Sequence, residues 1–282
     1  MTFTCIGGND YIVKFVLYRD CSGINAPSTV NLTFTCTSNP AYNFTLNQIP
    51  QQPGSGVEVT PGCAAMPTKC QGSQNPLYGL QEYVYQAQVT LPPCNFWRVS
   101  WSVCCRNPSN TIQSATSQSA YIEATINNLS APCNSNPTFT NKPVTVMCVG
   151  QTACFNLGAV DPDGDSLSYT MVTPMTTGPN NNVNWIPPYT ATQPLPSAPP
   201  MTLDPVTGDI CMTPTMNIIS PMAVKVDQWR IINGVPVLVG TIYRDIQINV
   251  VTCNNQIPKL SGMDTTMTKG YDPNDTIYNV EM

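Results

Sequence analysis

Histidine is absent from all 282 residues of this chain. That removes the side chain whose ordinary pKa lies nearest neutrality, and with it the usual general base. Ser-His-Asp and Cys-His catalytic sites are excluded, as are His-ligated metal centres. Paired-carboxylate chemistry has little to draw on, because glutamate occurs only at Glu58, Glu82, Glu123 and Glu281. Charge of either sign is sparse: 10% of the residues are charged, against roughly 25% in ordinary soluble domains. Eleven scattered Lys and Arg, with a net charge of −5, give no footprint for nucleic acid or anionic lipid. No apolar run reaches the roughly 20 residues that cross a bilayer, so membrane insertion is not expected. Met1 opens directly on Thr-Phe-Thr-Cys, without the basic and apolar regions of an export signal. The expectation is an internal piece of a longer exported protein, or a chain separated from its signal. An enzyme is not expected.

Cysteine and proline, by contrast, are abundant. Thirteen cysteines without any CxxC pattern point to disulfides in an oxidising, extracellular or cell-surface compartment. The odd count leaves at least one thiol free or bound outside the chain. Pairings suggested by position are Cys63 with Cys70, Cys21 with Cys36, Cys154 with Cys211, and Cys148 with Cys253. Adjacent Cys104 and Cys105 are each expected to reach a different partner. Twenty-eight prolines, many Asn/Gly/Ser/Thr clusters and short β-branched runs argue for an all-β chain.

Alternation predicts strands over 11–18, 30–36, 83–91, 96–104 and 119–127. In the second half it predicts them over 144–149, 166–172, 223–231 and 237–251. The stretches 48–76 and 174–200 read as loops. A similar phrase follows two of the strands, Ala131-Pro132-Cys133-Asn134 and Thr252-Cys253-Asn254-Asn255. This spacing suits a β-sandwich with one long loop. It divides the chain into 1–131, 132–253 and a tail over 254–282, which is either a disordered linker or the first strand of an incomplete or shared unit that pairs with a neighbour's exposed edge. A triplet also recurs, as Tyr18-Arg19-Asp20 and Tyr243-Arg244-Asp245.

The residues most suggestive of function are Asp161, Asp163 and Asp165, within Asp-Pro-Asp-Gly-Asp-Ser-Leu. Three carboxylates at alternate positions of a tight turn converge on one hard cation, which points to Ca2+. The register excludes an EF-hand, which requires glycine at position six and a bidentate Glu at position twelve. Asp204 and Asp209, in Asp-Pro-Val-Thr-Gly-Asp, are candidates to complete the shell. The plainer reading of both stretches is a turn whose aspartates cap backbone amides. Trp97, Trp101, Trp185 and Trp229 read as core, with Trp185 and Trp229 the candidates for stacking on surface glycans. Asn-x-Ser/Thr triplets begin at Asn31, Asn43, Asn128 and Asn274.

Several phrases together resemble the secreted multidomain surface proteins of Bacteroidota, gliding-motility-associated or adhesin-like. They include Leu17-Tyr18-Arg19-Asp20-Cys21, Val103-Cys104-Cys105-Arg106-Asn107 and the acidic turn. The resemblance implies cadherin-like or immunoglobulin-like β-sandwich domains in tandem, export by the type 9 secretion system, and calcium at Asp161, Asp163 and Asp165. It also implies O-glycans on Asp-Ser/Thr-apolar triplets, here at Thr276. It implies a non-enzymatic structural or adhesive module whose partners are neighbouring domains or other copies. The alternatives are a filament subunit joined by strand addition or an intermolecular disulfide, and a carbohydrate-binding module.

Overall fold

The computed structural model describes residues 1–60, 67–72, 74, 78–143 and 146–253. Almost every described element is a strand. In the first half these are β1 (Thr2–Gly7), β2 (Asp10–Asp20), β3 (Thr29–Cys36), β4 (Phe44–Pro50), β5 (Val57–Glu58), β6 (Leu80–Thr90), β7 (Trp97–Cys104) and β8 (Ser119–Ile126). They continue as β9 (Thr138–Phe139), β10 (Val146–Cys148), β11 (Ala153–Asn156), β12 (Ala159–Val160) and β13 (Ser166–Val172). The last are β14 (Thr202–Leu203), β15 (Asp209–Met212), β16 (Ile218–Ile232) and β17 (Val235–Val251). The nine predicted strands are all present, and β13 has the predicted bounds. No helix among the described residues is long and apolar enough to cross a membrane.

Two sheets carry the core. One has the order β1-β2-β6-β5, and the other runs β13-β16-β17-β8-β7-β3-β4, with β10 added in parallel beside the far end of β17. Alternation places Phe3, Tyr11, Val13 and Phe15 of the smaller sheet against Phe34, Trp97 and Val99 of the larger. The edge-on contact of Phe3 with Phe34, with centroids 6.4 Å apart, joins them. The longest element is the β16–β17 hairpin, turned at Asn233-Gly234, both with positive φ, as a type I′ turn requires.

The larger sheet draws β3, β4, β7 and β8 from one proposed domain and β10, β13, β16 and β17 from the other. The chain therefore does not divide at 131/132; residues 1–252 form one compact unit. The phrase read as a boundary is buried instead. Asn134 and Asn136 are 0% exposed, and Asn136 exchanges hydrogen bonds with the main chain of Phe3 in β1. Hydrogen-bonding asparagines look like a linker in sequence and serve here as buried polar ties. Residues 254–282, with the expected shared unit and Thr276, lie outside the described residues.

Disulfides cross this unit. Cys154–Cys211 forms as predicted, on directly opposed residues of β11 and β15. Cys21 pairs with Cys70, so neither Cys21–Cys36 nor Cys63–Cys70 forms; the Cys21 N–H donates to the Gly79 carbonyl, which sets its backbone beside this region. Cys36 ends β3 opposite Trp97 and so meets Cys94, just before β7. Cys104 and Cys105 bond to each other across a cis peptide, against the expectation of separate partners, with Cα atoms 3.0 Å apart. Cys5–Cys133 was not anticipated and links β1 to the buried asparagine run. Cys148 and Cys253 are both disulfide-bonded. Cys63 lies outside the described residues.

Candidate functional site at the acidic turn

The acidic turn joins β12 to β13, and its conformation follows from its own side chains. Asp161 Oδ1 accepts the N–H groups of Asp163 and Asp165 at 2.9 and 3.0 Å, closing the loop. Gly164 takes φ +80°, where a side chain would be strained. The plainer sequence reading, aspartate as amide cap, therefore holds for Asp161.

Asp163 and Asp165 face a cation supplied by the protein. Because β13 pairs with β16 in the register Leu167 opposite Gln228, the turn lands beside the end of β16 that carries Arg230. Arg230 Nε donates to Asp165 Oδ1 and Nη2 to Oδ2, each at 2.7 Å, a two-pronged pairing that fixes direction as well as distance. The same Nη2 reaches Asn134 Oδ1 at 2.6 Å and Asp163 Oδ2 at 3.2 Å. Gln228 Nε2 adds 2.7 Å to Asp165 Oδ2, and the Ser135 N–H donates 2.7 Å to Asp163 Oδ2. A bulge skips Val239 opposite Gln228 and Trp229. Gly240 there leaves no Cβ, which would collide with Gln228 Oε1 and the Asn136 amide.

One atom of the cluster is left over. Asp161 Oδ2 is buried without a hydrogen-bond partner. Burial, then the charges of Asp165 and Asp163, raise the Asp161 pKa above its ordinary value, and the two N–H bonds only partly oppose this. Arg230 is shifted the opposite way in effect: its hydrogen bond to Asp165 holds it even more firmly protonated.

The donor set can be weighed for calcium on these contacts. One carboxylate oxygen from each of Asp161, Asp163 and Asp165 lies within 4.8 Å of the others. Both Asp165 oxygens already hold Arg230, so Asp161 Oδ2 and Asp163 Oδ1 remain as uncommitted carboxylate ligands. Calcium takes about six to eight oxygens. Two protein oxygens fall well short of that number, so the turn offers no protein cage, and Arg230 already supplies a counter-cation.

Asp204 and Asp209 do not join this cluster. Asp204 Oδ1 caps the N–H groups of Val206 and Thr207, and Asp209 accepts from Asn156 and Thr207. Those donors lower both pKa values, the amides of Thr207 and Val206 acting on Asp204 and the Asn156 side chain chiefly on Asp209. The two residues shape the turn between β14 and β15.

The tryptophans follow the core reading for Trp97, which is 0% exposed. Trp185 and Trp229 are half-buried, their indole N–H groups held by Thr173 and Ser168. Asn128 is buried, with its amide nitrogen donating to the Leu91 carbonyl, so it is no glycan acceptor in the fold. Sequence reasoning missed Arg230, Gln228 and Asn134. Their only signal was position, a cation and an amide two residues apart near the end of a long apolar strand. No family model, curated protein or solved structure matches this chain.

Proposed function

We propose that this chain is a non-enzymatic structural and adhesive module of an exported bacterial surface protein. The observation that carries the reading is the closure of residues 1–252 by covalent and ionic ties far apart in sequence. Cys5–Cys133 spans 128 residues, and the Arg230 cluster joins residues 134–135, 163–165 and 228–230 at the same end of the larger sheet. Such ties suit a body that must keep its shape outside the cell, where an oxidising setting preserves disulfides and no chaperone refolds it. They do nothing for a reaction.

Calcium acts in this reading as an auxiliary stiffener, held by Asp161 Oδ2 and Asp163 Oδ1 while Arg230 supplies the main counter-charge. Melting in calcium and in chelator checks this: an unchanged melting temperature removes the metal from the proposal. The module itself is tested by differential alkylation of native material. Disulfide-bonded cysteines on protein recovered from the cell surface are expected. Thiols that alkylate freely on an intracellular pool would overturn the reading.

A further inference from the structure

A cleft opens beside β2 and β17, and its main feature is an unfinished strand pair. Along β2 all eleven residues, Asp10 to Asp20, are in register with β6, but β1 covers only Asp10 to Lys14. Phe3 and Cys5 turn their N–H groups away from β2, to Asn136 Oδ1 and Ser135 Oγ. Thr2 and Thr4 therefore face β2, opposite Lys14 and Ile12. Main-chain groups alternate sides along an antiparallel strand, so Val16 and Tyr18 point theirs along the same edge, where β1 is missing. Among the described residues no hydrogen bond reaches the main chain of Val16 or Tyr18 from that side. At Asp20 the edge closes again, its carbonyl accepting the Gly23 N–H.

The space beside this edge measures about 360 Å3, within the roughly 300–1,000 Å3 of ligand clefts. It lies where β17, paired throughout with β16, leaves β8 after Ile242 and gains β10 on that same edge only at Asn249. Its apolar walls include Phe15, Leu17, Trp101 and Ile122, and both Tyr-Arg-Asp triplets line it. Its charge leans positive, with Lys14, Arg19, Arg106 and Arg244 against Asp20 and Asp245. Arg106 is paired with Asp245 at 2.6 Å. Lys14, Arg19 and Arg244 have no carboxylate within salt-bridge distance among the described residues. Arg244, 8% exposed, rests on the Phe139 ring at 4.1 Å and donates to the Asn141 carbonyl.

We infer that the edge of β2 at Val16 and Tyr18 accepts an extended strand from a second copy of this chain, supplied by residues 274–282. A small ligand would use the apolar walls but not the main-chain edge; a strand uses both. The donor is identified by its composition, Asn-Asp-Thr-Ile-Tyr-Asn-Val-Glu-Met. It is rich in β-branched and aromatic residues, alternates Tyr278 and Val280 on one face, and carries Asp275 and Glu281 with no cation. Its charge complements Lys14 and Arg244, whereas the Arg19 guanidinium is already held by the Ile24 and Gly23 carbonyls and by Gln81. This rests on the structural reading above and extends it from a rigid body to one that assembles.

Sedimentation of the full chain over a range of concentrations tests it, with three perturbations: Val16→Pro, the pair Tyr278→Asp with Val280→Asp, and added synthetic peptide 274–282. Val16→Pro removes an N–H that points away from β6, so the existing ladder is kept. The tail variant leaves residues 1–253 unchanged, so a folding defect in the first variant cannot explain agreement between them. Expected is concentration-dependent assembly, shifted about tenfold or more to higher concentration by either variant and suppressed by the peptide. Amide exchange at Val16 and Tyr18 should slow on assembly. A chain that stays monomeric without binding the peptide overturns the inference, as does assembly indifferent to both variants or dissolved by reductant alone. A monomer that is still disulfide-bonded and surface-located would overturn the strand proposal and leave the structural module standing.

Discussion

Arg230 and Arg244 sit on successive strands of one hairpin, and the chain treats them in opposite ways. Arg230 meets two aspartates, an asparagine and a turn that closes over it. Arg244 is more deeply buried, yet its direct contacts are a carbonyl and an aromatic face, and desolvation pulls its pKa down from the usual guanidinium value, with Tyr18 and Glu82 opposing this only in part. Near its turn the hairpin carries a completed ionic lock; at its middle, opposite Val224, it carries a cation beside an open strand edge. A buried charge with its partner present marks structure, and one lacking a partner marks a place where something is expected to bind.

The largest effect should come from cutting the covalent tie at the closed end. Replacing Cys5 and Cys133 together by serine frees a loop of 128 residues. The chain-entropy estimate for such a loop is about 5 kcal/mol, an upper bound while the other disulfides remain. Urea unfolding measures it, and a loss under about 1 kcal/mol would mean the asparagine run holds β1 unaided. Next in size is Arg230→Met, which strands the Asp165 carboxylate, 5% exposed, without its cation. About 3 kcal/mol of destabilisation is expected. Arg244→Met should behave differently, staying within about 1 kcal/mol of the parent, because the lost ring contact is offset by relief of an uncompensated buried charge. Equal losses at the two arginines would erase the distinction between lock and open edge.

Much of this was readable before any coordinates. The strands at 166–172 and 237–251 announce themselves by alternation, and the acidic turn by its spacing. β1 escaped because six residues give too short a period, and although it pairs with the adjacent β2, the Asn136 and Ser135 side chains that hold its other edge lie 130 or more residues away. β16 was read too short because Pro221 argues against a strand; in the fold it sits in register opposite Gln247 near the strand's start. The tandem-domain division failed for a related reason: similar Cys-Asn phrases at 133 and 253 look alike locally, and only packing shows the first to be core. Arg230 was invisible as a site residue because strand register, which alone sets it beside Asp165, is not written in local pattern. The recurring Tyr-Arg-Asp triplet carried little weight in sequence, and both copies line one cleft.

The smallest effects separate the two acidic turns. In chelator, the Asp161 carboxyl titrates above its unfolded value, so the folded protein holds this proton more tightly than the unfolded chain does. Its contribution to stability is greatest at low pH and falls as pH rises from the unfolded pKa, about 3.9, through the raised folded one. Asp161→Asn keeps an oxygen for the two amide bonds and removes the charge. The melting temperature at neutral pH should hold or rise, and its decline across that window should flatten. Asp204 has the opposite sign, since its depressed pKa stabilises the fold above the unfolded pKa and the benefit disappears as pH falls through the folded value. Asp204→Asn should therefore lower the neutral-pH melting temperature slightly, flatten its fall on acidification, and leave it unchanged at pH values below both pKa values. Shifts of the same sign in both variants would break the contrast. Calcium sharpens it further, because an ion on Asp161 Oδ2 reverses that residue's sign: Asp161→Asn should then cost stability in calcium while remaining harmless in chelator.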